Sequence, residues 1–214
     1  MKAVRAQRRY DSVKRALDII GAVVGLTLSS PVLAVVAVLV ATELGRPVLF
    51  KQERPGKDGQ VFLLYKFRTM KNIDVARGLV TDAQRLTTLG RKLRSTSLDE
   101  LPTLVNVLRG DMSMVGPRPL LVQYLDRYTP AQARRHEVRP GITGLAQSSG
   151  RNSLSWGDKF ALDVQYVDNR SFGLDMRILA KTFLPVLKRD GIASEGQDTV
   201  EEFMGTPNMD NQKK

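Results

Sequence analysis

The chain has no cysteine and a single histidine, His136. Without thiols there can be no disulfide, no thiolate metal site and no cysteine nucleophile, a composition that suits a reducing compartment. One imidazole cannot build a multi-histidine metal cluster, so acid–base or nucleophilic work falls to carboxylates, lysines or hydroxyls. Aromatic residues are scarce at 6%, with one tryptophan, which leaves little on which nucleobases could stack. Acids are the minority, 22 Asp and Glu against 33 Lys and Arg, giving a formal net charge of +11. Such a surface attracts phosphate-bearing partners, whether nucleic acid, anionic lipid or a phosphorylated metabolite, and the sign alone does not choose among them. Internal repeats and low-complexity tracts are missing too, and 214 residues at 42% hydrophobic content support one compact domain with an appendage.

What is present first is a long apolar run. Residues 17–42, LDIIGAVVGLTLSSPVLAVVAVLVAT, carry one charge, Asp18, at the edge. As a straight helix the run would measure about 39 Å, more than the roughly 30 Å hydrocarbon layer of a bilayer. Ser29, Ser30 and Pro31 lie near its middle. Proline removes a backbone donor and clashes with the preceding turn, which predicts a kink or break, and serine hydroxyls can take up the freed carbonyls within lipid. Lys2, Arg5, Arg8, Arg9, Lys14 and Arg15 precede the run, and Arg46, Lys51, Arg54 and Lys57 follow it. Positive charge favours the cytoplasmic side for both flanks, so a re-entrant helix–break–helix hairpin, broken at Ser30 and Pro31, is expected in preference to a span. The run is too long for a signal-peptide core and is expected to be retained.

Beyond it, PVLFKQERPGKDGQVFLLYKFRTM reads as a β-hairpin over 48–66, turning at RPGKDG. TDAQRLTTLGRKLR reads as one helix capped by Thr81, DELPTLVNVLRG as another closed by Gly110, and TPAQARRHEV as a third with proline at its first position. DMSMVGPRPL reads as irregular and RPGITGLAQSSGRN as a glycine-rich loop. Two further helices follow, SWGDKFALDVQYVDNR and SFGLDMRILAKTFLPVLKR. In the second, Leu174, Ile178, Leu179, Phe183, Leu184 and Leu187 are interspersed with Arg177, Lys181 and Lys188, which fits a helix lying on a membrane surface or one packed on the core. The expected fold is mainly α with a small β-hairpin, comprising the N-terminal re-entrant hairpin (1–45), a catalytic domain with interfacial amphipathic helices (46–190) and a loosely ordered polar tail (191–214).

STSLDELPTL places Asp99 and Glu100 side by side ahead of Pro102. Ser97 and Glu100 fit a capping box, the local reading of the pair. A chemical reading stands beside it. Successive helical residues point about 100° apart, so the two carboxylates suit different tasks, one attacking and the other holding a cation. Lys66, Arg68, Arg91, Arg94, Arg109 and Arg118 surround the motif in sequence. With Mg2+ bridging Glu100 and a diphosphate, the set suits phosphoryl transfer. Asp163 and Asp175 read as helix-surface pairs, Asp163 with Lys159 at four-residue spacing.

KRALD, SSP, YKFRTM, RSTSLDELPTL, NVLRGDMSMVGPRPLLVQYL, RPGITGLAQ, GRN, SWGDKFALDVQYVDN and LDMRIL follow one another as in bacterial sugar transferases. From about residue 14 to 203 the chain resembles the monotopic phosphoglycosyl transferases of that family, in a small form with no multi-helix membrane domain before Lys14. The resemblance implies transfer of a sugar 1-phosphate from a UDP-sugar to polyprenol (undecaprenyl) phosphate with release of UMP, at the cytoplasmic face of a bacterial inner membrane. It implies Asp99 as nucleophile, forming an aspartyl phosphosugar, and Glu100 as holder of Mg2+. Arg118 would contact phosphate or nucleotide from a loop stiffened by Pro117 and Pro119, and Lys66, Arg68 and Arg94 would contact the diphosphate or lipid phosphate. Lys14, Arg15 and Asp18 match the family's interface anchor, where the simple physical role is snorkelling and an ion pair. Gly141, Thr143, Gly144, Gly150, Arg151 and Asn152 lie in loops that could approach nucleotide or sugar. The tail SEGQDTVEEF resembles EGH-x-T tails of transferases for N-acetylated amino sugars, particularly diacetylbacillosamine, with Gln197 where those carry histidine. Membrane lipids are expected partners and nucleic acid is not. The rival readings are a membrane-tethered nucleic-acid-binding protein and a glycosyltransferase that releases UDP.

Overall fold

A computed structural model describes residues 2–150, 154–188 and 202–205, with side chains outside 2–9 and 183–188. Helix α1 (Lys2–Leu44) is 43 residues long and is the one helix, among the described residues, long and apolar enough to cross a membrane. The break expected at Ser30–Pro31 is not present: the chain stays helical through Pro31. Proline cannot donate to the carbonyl of Thr27, and the Ser30 hydroxyl donates there instead at 2.8 Å, while the Ser29 hydroxyl donates to the Gly25 carbonyl at 2.7 Å. Hydroxyls thus satisfy carbonyls around the point where the backbone donor is lost.

One stripe of α1 enters the core along both halves. Ala22 and Leu26 pack with Leu64, Leu104, Val107 and Met112, and Leu33, Val36, Ala37, Val40 and Leu44 pack with Phe67 and Leu93. The opposite stripe, including Ile20, Val24, Leu28, Val35 and Val38, is exposed, Leu28 to 76%. An apolar strip of that length on the outside of a folded chain is a lipid- or protein-facing surface.

Strands β1 (Leu49–Pro55) and β2 (Val61–Phe67) form the expected hairpin, in register from Leu49 opposite Phe67 to Pro55 opposite Val61. Asp58 and Gly59 make its turn at φ 55° and 74°. The single helix expected after Thr81 is two. Thr81 caps α2 (Asp82–Arg85), the chain extends at Leu86, and Thr87 caps α3 (Thr88–Ser95) afresh. Gly90 lets α3 press against the end of the hairpin, since a Cβ there would lie 2.0 Å from the Thr69 carbonyl oxygen. Helix α4 (Thr103–Arg109) closes on Gly110 at φ 90°.

The two stretches read as irregular pair with each other. β3 (Ser113–Val115) runs parallel to β4 (Gly141–Thr143). Glycine is required at this crossing for close backbone approach: a Cβ on Gly116 would sit 2.4 Å from the Arg139 carbonyl oxygen, and one on Gly141 2.1 Å from the Gly116 nitrogen. Helices α5 (Pro130–Ala133), α6 (Leu145–Ser149), α7 (Trp156–Asn169) and α8 (Phe172–Lys188) complete the fold. Ile178 of α8 is buried with Val115 and Tyr166, with Leu174 and Leu179 beside them, so this face belongs to the core, while Phe172 and Met176 remain exposed. The tail is not loose throughout, because Phe203 is buried among Tyr124, Phe160, Tyr128 and Trp156. Gln197 and Phe183, Leu184 and Leu187 fall outside the described residues and side chains.

Candidate active site

Asp99 and Glu100 lie on a single 3-10 turn, Leu98–Glu100, one step ahead of α4. The capping box does not form: Ser97 is left-handed (φ 56°, ψ 17°) and its side chain caps nothing. The turn therefore presents the two carboxylates in different surroundings. Asp99 is 8% exposed. Glu100 accepts from Lys66 Nζ at 2.5 Å and from Arg118 at 3.3 Å, both on Oε1.

Each partner is delivered by a different part of the fold. Lys66 stands on β2, opposite Phe50. Arg118 belongs to the loop after β3, and its carbonyl accepts from Arg135 at 2.7 Å. Arg135 is in turn buried against Asp163, donating through Nε at 3.0 Å and a terminal nitrogen at 2.7 Å, and it also reaches the Tyr128 hydroxyl. A buried guanidinium with a buried carboxylate thus fixes the loop carrying Arg118, which rules out the surface pairing expected for Asp163. Lys159 lies instead over the Trp156 ring, 4.8 Å from its centroid.

The electrostatics separate the two acids. Burial, with the adjacent Glu100 charge, pushes the Asp99 carboxyl from 3.8 up to about 6, against the pull of Lys66 and Arg94. Burial acts on Glu100 in the same direction, but Arg118 and Lys66 together outweigh it and hold that carboxyl at about 2. Lys66 is lowered by burial, partly offset by Glu100. Two neighbouring carboxyls driven apart in this way are suited to different chemical tasks. At neutral pH Asp99 is mostly ionised and is the more basic of the two.

Of the remaining sequence candidates, Arg94 stays near the pair, its Nε donating to the Thr69 hydroxyl at 3.2 Å while its charge is felt at Asp99. Arg68 does not join them: its terminal nitrogens donate to the Leu44 and Pro47 carbonyls and clamp the end of α1. Lys14, Arg15 and Asp18 point inward and do not snorkel. Lys14 pairs with Asp175 at 2.5 Å and lies 3.8 Å from Asp18, Asp18 accepts from the Met114 amide at 2.9 Å, and Arg15 donates to the Val107 and Leu108 carbonyls. Asp175 is likewise no surface residue, being 3% exposed and bonded to the Tyr10 and Tyr166 hydroxyls. Thr143 shares a hydroxyl contact with Thr182 at 2.7 Å, and Arg151 and Asn152 lie outside the described residues. Sequence reasoning missed Arg135, whose partner lies 28 positions away, beyond any local spacing signal.

Among the described residues no three carboxylates or imidazoles form a metal cage. Mg2+ is commonly held by one or two carboxylates and completed by substrate phosphates and water; Glu100 would fit that role, since both of its cation contacts fall on Oε1 and not on Oε2.

The bacterial sugar transferase family model matches residues 9–189. The chain is 51% identical over 195 residues to an uncharacterized sugar transferase, EpsL, of Bacillus subtilis, covering 91% of this chain and 96% of the relative. It is 39% identical to the UDP-glucose:undecaprenyl-phosphate glucose-1-phosphate transferase of Caulobacter vibrioides, covering 84% and 72%. To the UDP-N-acetylgalactosamine-undecaprenyl-phosphate N-acetylgalactosaminephosphotransferase of Aeromonas hydrophila it is 40% identical, covering 83% of this chain and 44% of that relative, so it spans under half the length of the latter. With the family's matched region running from the start of the apolar helix through the carboxylate pair to the end of α8, the chain belongs to the bacterial sugar transferase family.

Proposed function

We propose that the protein transfers a sugar 1-phosphate from a UDP-sugar to polyprenol phosphate through a covalent phosphosugar on Asp99. The observation that carries this reading is the division within the pair: Glu100 is held by two cations, whereas Asp99 is buried, raised to about 6 and still mostly anionic at neutral pH. An Asp99 carboxylate oxygen attacks the sugar-bearing phosphorus, the bond to the bridging oxygen breaks, and UMP leaves with the electron pair. A phosphate oxygen of the polyprenol phosphate then attacks the same phosphorus, releasing Asp99 and forming the polyprenol diphosphate sugar. Lys66, Arg94 and Arg118 supply positive charge for the diphosphate. Mg2+, bound through Glu100, would neutralise diphosphate charge.

The same reading keeps both ends of the unbroken α1 on the cytoplasmic side of an inner membrane. Its support is that Asp18 bonds Met114 near one end and Arg68 bonds the Leu44 carbonyl at the other, both on one folded body, while the outward stripe is apolar. Tags at Met1 and Lys214 should both be inaccessible from outside the cell; protection of only one would overturn this topology. An N-acetylated amino sugar, such as diacetylbacillosamine, is the proposed donor sugar, supported by the tail sequence and by the N-acetylgalactosamine in the Aeromonas relative's name.

The test is mass spectrometry of the purified protein with a panel of UDP-sugars. A phosphosugar adduct on Asp99, lost in Asp99→Asn, with UMP as the nucleotide product, is expected. A full adduct on Asp99→Asn, or UDP as the product, would overturn the mechanism.

A further inference from the structure

Between β2 and α3 the chain makes an excursion that the carboxylate site does not use. Thr87 donates to the Thr69 carbonyl, Lys71 to the Arg85 carbonyl, and Asp74 bridges Leu79 in antiparallel fashion. Residues 71–85 are therefore a narrow doubled-back projection. The bridge between Asp74 and Leu79 closes the far end, Ile73 and Val80 flank it on the outgoing and returning chain, and Val75 opens the helical turn Val75–Arg77 beyond it. These three are exposed to 63%, 52% and 76% respectively. Turns in water use Gly, Asn, Asp and Ser at such positions; three exposed β-branched apolar residues clustered around one bridge point to an apolar environment.

The root of the projection says which environment. Arg68, immediately before it, is bonded to the last carbonyl of α1, and α3, immediately after it, packs Leu89 and Leu93 on Val36 and Val40. The root of the projection thus sits against the second half of α1, whose outward Val32, Val35, Val38 and Leu39 are exposed. Its flanks are basic: Arg77 and Arg85 pair with Asp74 and Asp82, while Lys71, Arg91 and Lys92 have no carboxylate partner among the described residues. Apolar side chains ringed by cations match a lipid surface carrying anionic head groups.

We propose that residues 73–80 insert Ile73, Val75 and Val80 into the anionic lipid surface as a second membrane contact, beside α1. This rests on the reading of α1 as membrane-embedded, and the experiment separates the two. Because the chain has no cysteine, one introduced cysteine gives a unique reporter. Val75→Cys, Val24→Cys on the outward stripe of α1, and Asp126→Cys at an exposed position of the short 3-10 helix Val122–Arg127 are each labelled with an environment-sensitive fluorophore in the full chain. The proteins are reconstituted in phosphatidylglycerol-containing vesicles with or without nitroxide-labelled acyl chains. The labels at 75 and 24 should each lose more than half of their emission to the nitroxide lipid, and the label at 126 should lose almost none. Quenching at 24 without quenching at 75 overturns the second contact and leaves the α1 reading intact. No quenching at either site overturns both. A label at 75 that answers to UDP-sugar and not to nitroxide lipid marks a cover over the active site, and one that self-quenches with protein density alone marks a contact between copies; either result overturns the proposal.

Discussion

Replacing Asp99 by asparagine should stabilise the folded protein while abolishing its chemistry. The carboxyl is 8% exposed and sits beside another carboxylate. Its proton is held from the ordinary 3.8 up to about 6, so the protonated form favours the fold. That contribution is fully present below 3.8 and is lost as pH rises through about 6. The interval corresponds to about 3 kcal/mol at pH 8, falling to roughly 0.5 kcal/mol at pH 4. Asparagine, which never ionises, escapes the loss. For a chain of this size, about 3 kcal/mol amounts to roughly 6–12 °C in midpoint. Thermal unfolding of both proteins in the same nanodiscs, at intervals from pH 4 to pH 8, reads the difference directly. The asparagine variant should melt higher at pH 8 and converge with the parent near pH 4. A variant that melts at or below the parent at pH 8, or a gap that does not change with pH, would refute the claim that burial strains this carboxylate.

Glu100→Gln removes the charge next to Asp99, so the acid limb of adduct formation should move to lower pH even as the yield drops; a limb that stays near pH 6 in a pH–rate profile contradicts the coupling. Asp163→Ala leaves the Arg135 guanidinium buried without its carboxylate, at a cost of about 3–5 kcal/mol by chemical denaturation, and a loss under about 1 kcal/mol would show that the pair does not hold the Arg118 loop. In Gly90→Ala the new methyl group must push α3 away from the Thr69 carbonyl, so stability should fall by about 1–3 kcal/mol. Adduct formation should fall with it, because Arg94 rides on α3, and parent-like values in both assays would contradict this.

Local chemistry was legible where one or two residues decide the backbone. RPGKDG gave the hairpin, Thr81 and Thr129 each cap the helix they precede, and Gly110 ends α4 in a left-handed conformation. The second cap at Thr87 was masked because leucines at helical spacing continue straight across the break. The destinations of buried charges were not legible. Asp163 has a lysine four positions earlier, and nothing in that spacing reveals that the fold delivers Arg135 instead. The carboxylate pair was visible as a motif and different tasks for its two acids were expected, but the cause of their electrostatic difference was not visible, since the two cations on Glu100 come from β2 and from the loop after β3. Ser97 illustrates the limit: a capping-box sequence adopts the left-handed region and leaves its hydroxyl out of the cap.

The inward stripe of α1 works as a keystone for the enzymatic body. Cutting the chain after Leu44 would uncover Leu64, Phe67, Leu93 and Leu104 together and strip the end of α4 of the guanidinium that binds its carbonyls. Truncation is therefore no route to a water-soluble catalytic fragment: the part that meets the bilayer is also the part that completes the interior, and purification must carry both.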